Sequence, residues 1–228
     1  MHEGHRDRLR NKLIKYGADS LEKHEILELL LYYAVPRRNT NDIAHRLIDA
    51  FGSISGIMDA PMSSLVDVDG IGEKSAVLLK LIPVLTRLYT EDKYQNKDKI
   101  MNEEKIHDII EHKFIGRENE NIALMLMDSK MKLLFFGIVN EGNANSVDMY
   151  ISKIISLTIK YSAVYAVIAH NHPSGIALPS TDDIATTREL STALKLVSVR
   201  LLDHIIVADD DSISLHSSGL CDDAFWFF

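Results

Sequence analysis

Ala169-His170-Asn171-His172-Pro173-Ser174-Gly175, with Pro179-Ser180-Thr181-Asp182-Asp183 close behind, follows directly on Ala163-Val164-Tyr165-Ala166-Val167-Ile168. That preceding run is apolar, partly β-branched and of the length expected for a buried strand. The two histidines therefore stand at the C-terminal end of a strand. Residues i and i+2 of a strand point to the same face, so the imidazoles of His170 and His172 converge on one point, a geometry that divalent zinc accepts. Pro173 and Gly175 turn the chain, and Ser180-x-x-Asp183 opens a predicted helix running through Ile184, Leu190, Leu194 and Val197, which brings a carboxylate back toward the strand end. Two histidines and one aspartate with a fourth position left open describe a catalytic rather than a closed structural zinc site. Taken singly, the His-x-His pair is also compatible with two surface histidines. Ser180-x-x-Asp183 is likewise compatible with a helix N-cap, a role that Asp183 can combine with metal ligation.

Composition sets the outer limits. A chain of 228 residues, 46% hydrophobic and 25% charged, buries one substantial core or two modest ones. Its single cysteine, Cys221, excludes an intrachain disulfide and suits a reducing compartment. The N-terminus, His2-Glu3-Gly4-His5-Arg6, lacks the apolar segment of a signal peptide, and no apolar run approaches the roughly 20 residues of a membrane span. The expectation is a soluble cytoplasmic protein with no membrane partner. A net charge of −8 argues against bulk electrostatic coating of nucleic acid, so any DNA contact is expected to be local.

Residues 1–92 read as short helices separated by turns. Glu25-Ile26-Leu27-Glu28-Leu29-Leu30-Leu31 is one apolar helix, broken by Pro36-Arg37-Arg38. Thr40 or Asn41 is the expected cap of the next, which ends at Phe51-Gly52-Ser53. Within Leu65-Val66-Asp67-Val68-Asp69-Gly70-Ile71-Gly72-Glu73-Lys74, the Gly-hydrophobic-Gly sequence resembles a helix-hairpin-helix element. Gly70 and Gly72 would let the backbone turn tightly and present amides to a DNA phosphate, with Lys74 adding a point charge. Such contacts read phosphate, so the expected partner is DNA without sequence preference. A plain glycine turn packing two helices is the alternative, because Asp67, Asp69 and Glu73 surround the hairpin. The polar stretch Glu91–Lys99 is the expected linker, separating a helical domain at 1–92 from a metal-binding domain at 101–228. In the latter, a helix from Glu103 to Phe114 precedes two strands paired about Asp128-Ser129-Lys130.

His-x-His-Pro, a spacer and Ser-x-x-Asp resembles the signature of the JAB/MPN (JAMM) metalloproteases. The fuller HNHPSG, with Leu201-Leu202-Asp203-His204-Ile205-Ile206-Val207 further on, is similar to the bacterial RadC-like branch. The resemblance covers nearly the whole length. It implies an α/β fold of the cytidine-deaminase-like MPN type preceded by a small all-α helix-hairpin-helix domain. It also implies Zn2+ held by His170, His172 and Asp183, Ser180 stabilising the oxyanion of amide hydrolysis, a peptide or protein substrate, and an association with DNA repair. One position departs from the family. Its general-base glutamate lies in a Pro-Arg-Glu motif at the head of the helix before the His-x-His strand. Counting forward from Glu141-Gly142-Asn143-Ala144-Asn145-Ser146 and backward from His170, that motif falls on Ile151-Ser152-Lys153. Lys153 replaces the glutamate, and Glu141 is the nearest upstream carboxylate. Whether the chain is an enzyme is thereby left open. It is either a zinc hydrolase of the isopeptidase type or a non-catalytic DNA-associated or protein-binding module, with a metal-dependent nuclease a third possibility. The aromatic end Ala224-Phe225-Trp226-Phe227-Phe228 is expected to fold onto its own domain, a self-association surface being the alternative.

Overall fold

Ile122-Ala123-Leu124-Met125-Leu126-Met127 is apolar at every position, as a strand covered on both faces must be. In the computed structural model, which describes residues 3–36, 38–94, 100–141, 147–173, 175–208 and 211–225, it forms β1 (Asn121–Met127), buried throughout Ala123–Met127. The chain divides into two compact units, Met1–Thr86 and Arg87–Phe228.

The first unit is helical. α1 (Glu3–Tyr16), α2 (Lys23–Leu31), α3 (Thr40–Phe51), α4 (Ile54–Asp59), α5 (Met62–Val66) and the start of α6 (Glu73–Tyr94) surround a core that includes Leu27, Leu31, Ile43, Leu47, Ile57, Leu65 and Leu79. Asn39, one residue before the expected position, caps α3 by accepting from the Asn41 N–H; its short carbonyl side chain reaches that free first-turn amide. The buried Glu28 carboxylate meets His5 Nε2 at 3.1 Å and accepts from the Tyr32 hydroxyl and Asn41 Nδ2, tying α1, α2 and α3 together.

In the second unit α7 (Glu103–Phe114), β1, β2 (Leu133–Glu141), α8 (Val147–Tyr161), β3 (Tyr165–Asn171), α9 (Thr181–Leu196), β4 (Arg200–Val207) and β5 (Ser212–Ser214) build a mixed sheet of order β2-β1-β3-β4-β5. β3 and β4 are parallel, joined by a crossover through α9, and the other pairs are antiparallel. The Asp128 carboxylate accepts from the Lys130 and Lys132 amides, which closes the β1–β2 turn. One face, with Leu124, Leu126, Ala166, Ile168 and Ile206, packs on Ile154 of α8 and Leu190 and Leu194 of α9. The other, with Met125, Val167, Ala169 and Ile205, packs on Ile106, Ile109 and Ile110 of α7.

Of the expected linker, Glu91–Lys93 lie within α6, and residues 95–99 fall outside the described ones. Glu91 accepts from Lys113 Nζ at 2.9 Å, and Arg87 donates to the Ile115 carbonyl. At the other end Phe225 is buried, with its ring set edge-on to His216, and the Ala224 carbonyl accepts from Ser191. That much of the aromatic end folds onto its own unit; residues 226–228 fall outside the described ones.

Candidate metal centre

The i, i+2 geometry at the end of β3 holds because the segment is locked on both sides. Asn171, between the two histidines, accepts from the Asn121 amide at 2.8 Å and donates to the Asn119 carbonyl, fastening the strand end to the start of β1. On the β4 side the His172 N–H donates to the Val207 carbonyl at 2.8 Å, so the parallel ladder continues one residue past the strand. His170 lies in the face that α8 and α9 cover, together with Ala166 and Ile168. The chain then turns at Gly175, with φ +82°, and Ser180 caps α9 in a reciprocal box. Its hydroxyl accepts from the Asp183 N–H at 3.1 Å, while Asp183 Oδ2 accepts from the Ser180 N–H at 2.7 Å and from the Ser180 hydroxyl at 2.6 Å. Both sequence readings of Asp183 are therefore realised in one rotamer. Oδ2 caps the helix and stands 3.7 Å from His172 Nε2, and Oδ1 lies 3.2 Å from His170 Nε2.

His170 Nε2 and His172 Nε2 are 2.8 Å apart, and together with the Asp183 carboxylate they lie within 4.8 Å of one another. Bonds of about 2.0–2.1 Å in a tetrahedron set ligand–ligand distances of roughly 3.3 Å, close to those found here. The charge pattern fits as well. His172 Nδ1–H donates to the Ile176 carbonyl at 3.0 Å, which leaves Nε2 with its lone pair. His170 is 3% exposed; burial first, then the neighbouring His172, against the pull of Asp183, lowers its pKa from 6.5 to about 4, so it is neutral at pH 7. Two imidazole lone pairs and a carboxylate oxygen facing one point repel one another until a cation stands between them. His172 and Asp183 are partly exposed, 19% and 17% at the side chain, so the group is open toward solvent on one side. The His170–His172–Asp183 group is thus fitted to hold a metal ion.

Residues that the sequence reading did not single out complete the surroundings. His170 Nδ1 meets His204 Nε2 at 2.8 Å, and His204 Nδ1 meets Thr187 Oγ1 at 2.6 Å. Tyr150 of α8 is buried near enough to Asp183 to feel its charge; burial and then that carboxylate push its phenol up, so it remains protonated. A histidine beside Asp203, set between the apolar pairs Leu201-Leu202 and Ile205-Ile206 of β4, was the available signal for His204; Tyr150 gave none.

Lys153 makes its contact on the edge of the sheet. Its exposed ammonium donates to the Val139 carbonyl of the edge strand β2 at 2.5 Å. β1 lies between that strand and β3, which puts the contact two strand spacings, roughly 10 Å, from β3. Glu141, at the end of β2, is 70% exposed at its side chain and faces Arg117 at 3.5 Å. Residues 142–146, which follow Glu141, and Ser174 fall outside the described residues.

Over residues 100–220 the sequence matches the RadC-like JAB domain, and over 3–77 the UPF0758 N-terminal family. The chain belongs to the RadC-like JAB family. Its relatives include UPF0758 proteins of Fusobacterium nucleatum, 32% identical over 225 residues (96% of this chain and 97% of that one), and of Alteromonas mediterranea, 31% identical over 214 residues (94% and 95%). A further UPF0758 protein, of Carboxydothermus hydrogenoformans, is 30% identical over 213 residues (93% and 94%). The match to this RadC-like family agrees with the mixed sheet and with a His-His-Asp group at the C-terminal end of β3. Among the described residues, no helix is long and apolar enough to cross a membrane.

In the first unit Gly70 adopts φ +99°, and a Cβ there would stand 2.7 Å from the Ile43 side chain, so glycine is required by both conformation and space. Ile71 is buried in the helical core, Gly72 and Lys74 are exposed, and the Gly72 carbonyl receives the Ser75 and Ala76 amides as α6 begins. Asp69, expected to repel phosphate, pairs with Arg38 at 3.3 Å and Arg46 at 2.5 Å, and those guanidiniums hold its carboxyl below the usual range.

Proposed function

We propose that this RadC-like protein binds zinc in a JAMM-type site and is metallopeptidase-like, hydrolysing peptide or isopeptide bonds weakly because Lys153 stands in place of the general-base glutamate. The observation that carries this reading is the convergence of His170 Nε2, His172 Nε2 and the Asp183 carboxylate on one point, with solvent on the remaining side. Zinc suits two imidazoles, one carboxylate and an open position, and when bound it would supply Lewis acidity and a nucleophile at neutral pH. Ser180 is the nearby hydroxyl for a developing oxyanion, its O–H turning there from Asp183 Oδ2. What is lacking is a proton acceptor. A lysine ammonium has no lone pair, and this one is bound to a backbone carbonyl. Absence of general acid–base help costs about 10²- to 10⁴-fold in rate. Zinc-loaded protein is therefore expected to cleave peptide or lysine-linked isopeptide substrates barely above background, with His170→Ala, His172→Ala at background. Fast, chelator-sensitive turnover by the wild type would contradict the reading.

A second reading, that the helical domain (1–92) binds DNA without sequence preference while the metal-binding domain (101–228) acts as a module linked to DNA repair, is favoured by the pairing of Asp69 with Arg38 and Arg46. That pairing removes much of the repulsion a phosphate would meet at the hairpin. Gly72 and Lys74 are the cleaner test positions, since a side chain at Gly72 meets nothing within 4 Å whereas one at Gly70 strains the fold. Full-length protein is expected to be retained by duplex DNA at low ionic strength and released by salt, and Gly72→Val with Lys74→Glu to lose that retention. Wild-type protein that ignores DNA at low salt would reduce the hairpin to a packing element. Cys221, buried and unpaired, suits the reducing cytoplasm in which we place the protein.

A further inference from the structure

We infer that His204 and Thr187 are positioning residues that fix the tautomer of His170, so that its Nε2 lone pair is presented to the cation. This rests on the metal-site reading and deepens it.

Each proton has one place along a buried chain of four groups. Thr187 Oγ1 lies 2.6 Å from the Asp183 main-chain carbonyl, which can only accept, so the single hydroxyl proton of Thr187 is committed there. The same oxygen is 2.6 Å from His204 Nδ1 and must therefore accept, which makes His204 Nδ1 the protonated nitrogen. His204 Nε2 then carries a lone pair, and at 2.8 Å it accepts from His170 Nδ1–H. His170 Nε2 is left as an electron-pair donor, aimed at His172 Nε2 and Asp183 Oδ1. Thr187, His204 and His170 are 0%, 2% and 3% exposed, so water has little access with which to reverse any link. The chain of bonds begins on the backbone of Asp183, the residue whose carboxylate faces the same point, so one helical turn of α9 sets both a candidate ligand and the polarity of another.

A fold irregularity makes the arrangement possible. The β3–β4 register shifts between Ala166/Leu201 and Val167/Asp203, so that Leu202 is passed over. Leu201 and Ile206 both pack on the α8/α9 face, and the shift turns His204 toward Thr187 and Asp203 toward His107 of α7, 3.9 Å away.

The test is zinc affinity of the full-length protein, measured by competition with a chromophoric chelator, beside the thermal stability of the metal-free protein. Thr187→Val keeps the shape and deletes the hydroxyl, whereas Thr187→Ser keeps the hydroxyl. His204→Leu deletes the acceptor, whereas His204→Gln offers a carbonyl oxygen near the Nε2 position. Partners of this kind are worth about 10- to 100-fold in metal affinity, so Thr187→Val and His204→Leu should weaken zinc binding by that factor, with Thr187→Ser and His204→Gln substantially restoring it. Comparable metal-free stability within each pair would separate this from a packing effect. If His204→Leu does not fold, the Val/Ser pair decides. Wild-type zinc uptake with unchanged affinity in Thr187→Val, or equal loss in Val and Ser, would overturn the positioning role alone. A wild type that takes up no zinc would remove the metal reading and this inference with it.

Discussion

Lys153→Glu is expected to raise zinc-dependent hydrolysis of peptide or isopeptide bonds by about 10-fold or more, toward the roughly 10²- to 10⁴-fold span that a positioned general base supplies. The wild-type side chain is a hydrogen-bond donor without an acceptor, and its ammonium is occupied by the Val139 carbonyl. A carboxylate cannot make that bond, since two acceptors repel. The substituted side chain would therefore leave Val139 and be free to turn toward positive charge, such as a bound divalent ion. The measurement is single-turnover cleavage of one substrate by wild type and variant at equal zinc occupancy. Robust wild-type turnover that Lys153→Glu leaves unchanged or lowers would mean that another carboxylate is the base. Glu141 is the first to examine, and it would have to part from Arg117 to serve.

The sheet and its site are legible in the sequence to different depths. β1, β3 and the α9 cap follow from local signals: an all-apolar run, a β-branched run ending in His-x-His, and Ser-x-x-Asp at a helix start. The role of Asn171 is hidden because its partners, Asn119 and Asn121, lie about fifty positions away, a separation that no local pattern spans. His204 is hidden for a different reason. Plain two-residue alternation counted from Leu201 puts Asp203, not His204, on the face of His170, and only the register shift at Leu202 reverses it. The expected repulsion at Gly70–Lys74 treats Asp69 as an isolated charge, whereas Arg38 and Arg46 come to it from 31 and 23 residues away. Lys153 reads as a non-base from its chemistry alone; its attachment to the edge strand β2 requires the tertiary fold.

Removing both imidazoles should have the largest effect of all on metal content, because a lone Asp183 already bonded through Oδ2 to Ser180 offers little for a cation to hold. Elemental analysis of the purified protein after zinc loading and exhaustive dialysis is the most direct measurement. The account predicts close to one zinc per wild-type chain and essentially none in the His170→Ala, His172→Ala variant. A wild type that leaves dialysis metal-free, or a double variant that retains zinc, would contradict it.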